Sequence, residues 1–155
     1  TGRTHHRTPN IITSLELDPA EMEKRNIHLQ KKYAEIEENE VRFEELHCED
    51  AEYLIVAFGS CARIAQKAME MAREEGIKVG LLRPITLWPF PSKAIAARAA
   101  QVKGILTVEL NAGQMVEDVR LAVKCKVPVE HFGRLGGIVP DPDEVITALK
   151  EKLIK

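Results

Sequence analysis

From residue 51 onward, short apolar runs alternate with stretches in which apolar residues recur at helical spacing. Residues 53–58, 78–82, 104–109 and 129–132 have the length and the β-branched content of strands. The runs 53–58 and 104–109 are apolar without alternation, which is typical of strands covered on both faces. Strands separated by helices predict parallel pairing with right-handed crossovers, so we expect an α/β protein built as a three-layer α/β/α sandwich.

Residues 18–39 predict a long helix ahead of this region. Asp18 can cap it, Pro19 suits the first helical position, and Glu21 can complete a capping box. The helix should end near Asn39. Its apolar residues form only a narrow stripe on a highly charged rod, so we expect it to lie along a surface instead of in a core. That stripe consists of Met22, Leu29, Tyr33 and Ile36.

Capping signals also predict the later helices. Ser60 is expected to cap a helix that ends at Gly76. Further helices are expected over 92–101, with Ser92 as the possible cap, and from Gln114 to Lys124. A second capping box over 141–144 predicts a last helix to about residue 154.

These signals divide the chain into three parts. We expect residues 1–17 to form an extended arm, residues 18–50 a linker helix and an edge strand at 41–46, and residues 51–155 a single α/β domain. A length of 155 residues fits one domain with an extension. The chain opens on Thr1 in an irregular polar stretch, and we expect it to be part of a longer subunit.

Composition narrows the function classes. A net charge of −2 favours neither nucleic acid nor an anionic membrane as a partner. There is neither an apolar run long enough for a membrane span nor a signal-peptide pattern. Three widely spaced cysteines without a C-x-x-C motif favour neither an iron–sulfur cluster nor structural zinc, and reduced thiols fit a cytoplasmic protein. These cysteines are Cys48, Cys61 and Cys125.

The most unusual segment is Arg-Pro-Ile-Thr-Leu-Trp-Pro-Phe-Pro over residues 83–91, the proline-rich turn. Its three prolines remove backbone donors and fix φ, so we do not expect it to lie inside a strand or helix. It nevertheless carries large apolar side chains, which predicts that another protein surface covers it. These side chains are Ile85, Leu87, Trp88 and Phe90.

Two candidate sites follow the first apolar run. Gly59 and Ser60 place amide groups at a helix N-terminus, where an anion could bind, but the dinucleotide and Walker motifs are absent and a simple turn is favoured. Cys61, in the first helical turn, could be an activated thiolate if His131 approached it from a neighbouring strand. A small packed thiol is the favoured interpretation.

Two more candidates follow the later strands. Glu109, Asn111 and Gln114 can satisfy a turn or make an inter-domain contact, and no second carboxylate is near in sequence for acid–base chemistry. In the loop from Gly133 to Gly137, Arg134 could hold a phosphate or carboxylate, or pair at an interface, which is slightly favoured.

The remaining chemistry-bearing residues indicate no site. The five histidines do not fall at metal-binding spacings, and they are His5, His6, His28, His47 and His131. Met69 and Met71 are expected to form a helix face and part of the core. The charge run 35–45 is expected to be a solvated face.

Several segments resemble a known family. The segments 51–60 (A-E-Y-L-I-V-A-F-G-S) and 83–90 (R-P-I-T-L-W-P-F) are similar to the transketolase C-terminal-like domain. The segments 108–115 (V-E-L-N-A-G-Q-M) and 132–137 (F-G-R-L-G-G) resemble the large or alpha-type subunit of the 2-oxoacid:ferredoxin oxidoreductases. The opening T-G-R-T-H-H resembles the segment leaving that subunit's thiamine-binding domain, and residues 23–33 look most like the VorB-type, 2-ketoisovalerate members.

The resemblance implies a mostly parallel five-stranded sheet with one antiparallel edge strand. It implies a domain that takes part in assembly with other domains and subunits, while the parent enzyme uses thiamine diphosphate, magnesium, iron–sulfur clusters, coenzyme A and ferredoxin elsewhere. No catalytic, cofactor-binding or metal-binding residue of the family maps onto this chain. Pro91 stands where transketolase-like relatives often have a capping aspartate, so the start of the next helix is open.

Two alternatives remain. One is the C-terminal domain of a pyruvate-dehydrogenase-type beta subunit or of a transketolase-like enzyme. The other is a free-standing anion- or nucleotide-binding α/β module that uses the loops at Gly59 and Gly133.

Overall fold

The computed structural model describes Thr8 and residues 15–154. The arm expected over residues 1–17 therefore lies mostly outside the described residues. The elements, in chain order, are α1 (Pro19–Asn39), β1 (Phe43–Leu46), β2 (Tyr53–Ala57), α2 (Gly59–Glu74), β3 (Val79–Pro84), α3 (Ser92–Ala99), β4 (Gly104–Glu109), α4 (Met115–Val123), β5 (Val129–Gly133) and α5 (Pro142–Leu149).

The five strands form one mixed sheet in the order β1-β3-β2-β4-β5. Strand β1 pairs antiparallel with β3, and the remaining pairs are parallel. Helices α2 and α5 pack against each other, as do α3 and α4. The α/β/α sandwich with one antiparallel edge strand is thus confirmed.

An apolar cluster lies on each face of the sheet. Along the central strands the side chains alternate between the two clusters. Leu54, Val56 and Ile105 pack with α3 and α4, whereas Ile55 and Leu106 pack with α2 and α5. All five are at most 1% exposed. Full burial of such a side chain contributes about 1.5–3 kcal/mol, so the two central strands hold the domain together.

The helix starts agree only partly with the capping signals. The Asp18 carboxylate does cap α1, because its Oδ1 accepts from Ala20 N at 2.8 Å. The predictions that Ser60 and Ser92 cap their helices are wrong. Helix α2 begins after Phe58 and α3 after Pro91, and neither start has a side-chain capping hydrogen bond. Gly59 begins α2 with a φ of +56°, a conformation that disfavours other residues.

Strand β3 extends two residues further than predicted, into the proline-rich turn. Pro84 pairs with Phe43 of β1, whereas the pairing of β3 with β2 ends at Leu82. A proline is tolerated there because β2 no longer needs a backbone donor from this position. The chain end also differs from expectation, since α5 ends at Leu149 and one π-helical turn follows over Lys150–Ile154.

Helix α1 has the expected place on the outside of the molecule. None of its residues, all of which are described, is buried. The charge run 35–45 is only partly the expected solvated face. Arg98 Nη2 of α3 lies 2.7 Å from Glu45 Oε2, and both side chains are about four-fifths buried. The hydrogen bond from Arg98 lowers the pKa of Glu45.

Candidate docking site at the carboxyl edge of the sheet

All the candidate residues from the sequence follow the carboxyl ends of the parallel strands. Cys61 follows β2, the proline-rich turn begins in the last two residues of β3, Glu109 ends β4, and Arg134 follows β5. Parallel strands bring these ends to one edge of the sheet, which is where α/β folds usually place their ligands.

The proline-rich turn is fixed to the segment between α1 and β1. Ile85 N and Thr86 N donate to Arg42 O at 2.9 and 3.1 Å. Thr86 Oγ1 accepts from Arg42 N at 3.0 Å and lies 2.8 Å from Pro89 O, to which it can donate. The hydroxyl of Thr86 and the backbone of Arg42 therefore close the turn on both sides.

This anchoring leaves part of the turn exposed. The exposed fractions of Ile85, Leu87 and Trp88 are 49%, 48% and 54%. We call these three residues the turn patch. The Trp88 ring makes an edge-to-face contact with Tyr33 of α1, with the ring centroids 5.7 Å apart. Phe90 is partly buried and packs on the α3–α4 cluster, so a smaller part of it than of the turn patch is left for a partner.

Further exposed apolar residues follow the next two strands. Leu110 after β4 is 42% exposed. After β5, Leu135, Ile138 and Val139 are 59%, 52% and 60% exposed. Clustered apolar exposure at one edge of a domain is typical of a surface that contacts other protein. Sequence reasoning missed these four, although the apolar residues beside Gly136 and Gly137 were a usable signal.

Glu109 is fully buried, and its carboxylate serves the chain itself. Its Oε2 accepts from Met115 N at 2.8 Å, and its Oε1 accepts from Val116 N at 3.0 Å. Asn111 Nδ2 and Gln114 N donate to Oε2 at 3.2 Å each. A negative charge at a helix N-terminus is stabilised by the free amides and the helix dipole. Glu109 therefore anchors the start of α4, in agreement with the predicted turn.

His131 of β5 completes this network. Its Nδ1 lies 3.4 Å from Glu109 Oε1 and 3.2 Å from Thr107 Oγ1, and its Nε2 lies 3.3 Å from Asn111 O. A β-carbon on Gly133 would lie 2.2 Å from Asn111 O, so no larger residue fits there. These contacts hold residues 110–114 in one conformation. The histidine was missed as a partner of Glu109 because sequence alone does not give the strand register.

The anion-binding interpretation of the Gly59 turn loses support in the structure. Helices α2 and α4 leave opposite faces of the sheet, so the crevice between β2 and β4 is where a ligand would be expected. A pocket of about 230 Å³ lies there, lined by Phe58, Leu87 and Glu109 among others. The Glu109 carboxylate already meets the amides of α4 and would repel an anion.

Cys61 behaves as the favoured packed thiol. It is 4% exposed. Burial, followed by the negative charge of Glu109, raises its pKa, so the thiolate is disfavoured despite its position in the first turn of α2. His131, the proposed activating histidine, contacts Thr107 and Glu109.

Arg134 pairs within the chain. Its Nη1 donates to Glu144 Oε1 at 2.9 Å, and Glu144 accepts from Asp141 N at 3.1 Å in the predicted capping box of α5. Arg134 thus links the loop after β5 to the last helix, and about a third of its side chain remains exposed. The ion pair with Glu144 accounts for the position of Arg134 without a bound anion or an ion pair to another domain.

Among the described residues, no three His, Cys, Asp or Glu side chains are grouped so that they could bind a metal ion. All three cysteines are free. Within the same residues, no helix is both long and apolar enough to cross a membrane.

Known proteins resemble this chain in sequence and in fold. Residues 51–145 match the family model described as pyruvate:ferredoxin oxidoreductase core domain II. The chain is 49% identical over 142 residues to the ketoisovalerate oxidoreductase subunit VorB of Methanothermobacter thermautotrophicus, an alignment that covers 92% of this chain and 40% of that relative. It is 32% identical over 143 residues to the 2-oxoglutarate synthase subunit KorA of Archaeoglobus fulgidus, with 90% and 40% covered.

A solved structure of a 2-oxoacid oxidoreductase has a similar fold. The 2-oxoglutarate:ferredoxin oxidoreductase from Magnetococcus marinus matches with a TM-score of 0.74 and 26% identity, over 88% of this chain and 24% of that one. The fold places the chain in the class of three-layer α/β/α domains with a mixed five-stranded sheet. It belongs to the pyruvate:ferredoxin oxidoreductase core domain II family.

The chain spans two-fifths of the length of the VorB and KorA relatives described above. The family match confirms the resemblance inferred from the sequence and favours it over the pyruvate-dehydrogenase-type and transketolase-like alternatives.

Proposed function

We propose that this chain is the C-terminal assembly domain of a subunit that oxidatively decarboxylates a 2-oxo acid. The VorB relatives favour 2-ketoisovalerate as that acid. The parent enzyme would form acyl-coenzyme A and reduce ferredoxin, in the cytoplasm and without a nucleic-acid or membrane partner. The domain boundaries proposed from the sequence remain an arm at 1–17, a linker helix and edge strand at 18–50, and the α/β domain at 51–155.

In this proposal the chemistry lies outside the chain. Thiamine diphosphate, magnesium and iron–sulfur clusters are assigned to other domains or subunits. The buried carboxylate of Glu109 and the buried thiol of Cys61 serve local structure, which supports an assembly role. Such a role matters for catalysis, because displacing reacting groups by about 1 Å can cost about a hundredfold in rate.

The observation that carries the proposal is the exposed turn patch, which lies on a turn held by hydrogen bonds to Arg42. Ile85, Leu87 and Trp88 stay about half exposed although the turn is closed by hydrogen bonds to Arg42. Covering the exposed halves of three large side chains would contribute on the order of 3 kcal/mol to association. A patch that is held in one conformation before binding also loses little entropy on binding.

Replacing Trp88 by alanine tests the proposal. We expect the Trp88→Ala variant of the subunit to associate about tenfold more weakly with its partner subunits in analytical ultracentrifugation. The melting temperature of the isolated chain should fall by no more than about 3 °C, because Trp88 is 54% exposed and its ring contact is with Tyr33 of the exposed helix α1. Leu121→Ala is the matched control, since Leu121 is 76% exposed on α4 and lines neither of the pockets formed by residues of the proline-rich turn.

The opposite pattern would contradict the proposal. If Trp88→Ala melted the isolated chain severely and left association intact, the turn would belong to the core of the domain. Equal association of the Trp88→Ala and Leu121→Ala variants would also remove the turn patch from the interface.

A further inference from the structure

A groove of about 690 Å³ separates the end of α1 from the proline-rich turn. Residues 37, 38, 41 and 43 line one side, and residues 88–94 line the other. We propose that this groove binds an extended, polyproline-II-like segment of a partner polypeptide that carries an arginine or lysine beside apolar residues. The inference rests on the proposed assembly role and adds the chemistry of the partner.

The wall formed by the turn is apolar and offers no backbone pairing. Prolines at 89 and 91 have no N–H, and the carbonyl oxygens of residues 89–91 each accept a hydrogen bond from within the chain. A partner therefore cannot add a β-strand along this wall. Polyproline-II segments need no backbone hydrogen bonds. They bind grooves lined by aromatic side chains, such as Phe43, Trp88 and Phe90 here.

The charges around the groove favour a basic partner. Nearby glutamates are neutralised within the chain, in the pairs Glu40–Arg42, Glu44–Arg83 and Glu45–Arg98. Glu37 and Glu38 line the groove, and their side chains take part in none of the ion pairs or hydrogen bonds formed by the described residues. Lys93 lies on the opposite side of the groove. A basic side chain is therefore expected at the α1 side of the occupant.

Residues 1–14 of the same chain are the competing occupant. They contain Arg3 and Arg7 and no acidic residue, so they too carry the charge that the groove favours. Their apolar residues Ile11 and Ile12 are tethered within four residues of Leu15. A separate polypeptide can place a basic side chain beside apolar ones without this tether, and the crosslinking experiment distinguishes the two occupants.

Photo-crosslinking in the assembled enzyme identifies the occupant. A benzoylphenylalanine at position 43, which is 39% exposed, would be activated in the complete subunit with its partner subunits. We expect crosslinks to one segment of another domain or subunit, with arginine or lysine beside proline or other apolar residues. The same probe at position 121 should not reach that segment. Crosslinks to residues 1–14, to an acidic or helical segment, or to no polypeptide would overturn the inference.

Charge reversal on α1 tests the electrostatic part. The Glu37→Lys/Glu38→Lys variant should associate about tenfold more weakly at low salt, with the difference shrinking at high salt. The control, Glu23→Lys/Glu35→Lys, changes the net charge of α1 equally outside the groove and should stay within about twofold of wild type. Equal weakening in both variants would indicate a general charge effect and overturn the inference.

The outcomes separate this inference from the assembly role. If Trp88→Ala weakens association but reversal at Glu37 and Glu38 does not, the groove inference fails and the assembly role stands. If neither change affects association, the assembly role itself fails.

Discussion

At the residue scale, Glu109 shows how a buried charge can be wholly structural. Its carboxylate receives hydrogen bonds from three backbone amides and from Asn111, and His131 lies beside it. Each hydrogen bond to a charged group contributes about 1.5–3 kcal/mol, and loss of the charge leaves buried donors without an equal partner. The residue that most resembles a catalytic group therefore holds the start of α4.

Replacing Glu109 by glutamine keeps the shape and removes the charge. We expect Glu109→Gln to lower the free energy of unfolding by about 2–4 kcal/mol, because an amide group would face the amides of Met115 and Val116. Urea denaturation monitored by circular dichroism measures this. Glu117→Gln, an exposed change on the same helix, should cost less than about 0.5 kcal/mol. A loss no greater than that control would show that Glu109 does not anchor α4.

Cys48 gives a pH dependence. Burial, and then the negative charge of Glu45, raises its pKa to about 11, from 9.0 in the absence of these effects. The folded chain then keeps a proton that the unfolded chain has lost, so the contribution to stability is complete below about pH 9 and is lost as pH rises towards 11.

We therefore expect wild-type unfolding free energy to fall by up to about 2 kcal/mol more than that of Cys48→Ala between pH 8.5 and pH 11. Denaturation curves at several pH values provide the comparison, and lysines and tyrosines cancel in the difference. Parallel curves for the two proteins would contradict the assigned pKa.

At the scale of elements, local signals predicted which segments are helix and strand, and their order. The run 104–109 became β4 without change, and Asp18 caps α1 as expected. The errors occur where distant contacts decide. Pro84 joins β3 because β1 pairs beside it after β2 has ended, and Ser60 is displaced as a cap because Gly59 already turns the chain. The meeting of Glu109 with His131 depends on the register of β4 and β5, which sequence does not give.

Helix α1 should be weakly protected in the isolated chain. It has 21 residues and buries none of them, and helical hydrogen bonds without tertiary packing open easily. In hydrogen exchange, we expect the amides of residues 23–39 to exchange at least a hundredfold faster than those of β4, and to slow when partner subunits bind. Equal protection of α1 and β4 in the isolated chain would show that α1 is stable without a partner.

At the scale of the whole molecule, the two apolar clusters close the domain on both faces of the sheet, while apolar side chains remain exposed at the carboxyl edge. The family resemblance was drawn from segments that include 83–90 and 108–115, and both of these lie at that edge. The contacts of Tyr33 with Trp88 and of Thr86 with Arg42 could not be predicted, since they cross 44 or more positions in the sequence.

The double attachment of Thr86 to Arg42 has a mechanical consequence. Arg42 lies between the end of α1 and the start of β1, and its backbone N–H and carbonyl both bond to the turn. A tilt of α1 must therefore displace the indole of Trp88, which also rests on Tyr33 of that helix. Helix α1 and the turn therefore move together. A displacement of either one by a neighbouring domain is transmitted to the other without any rearrangement of the sheet.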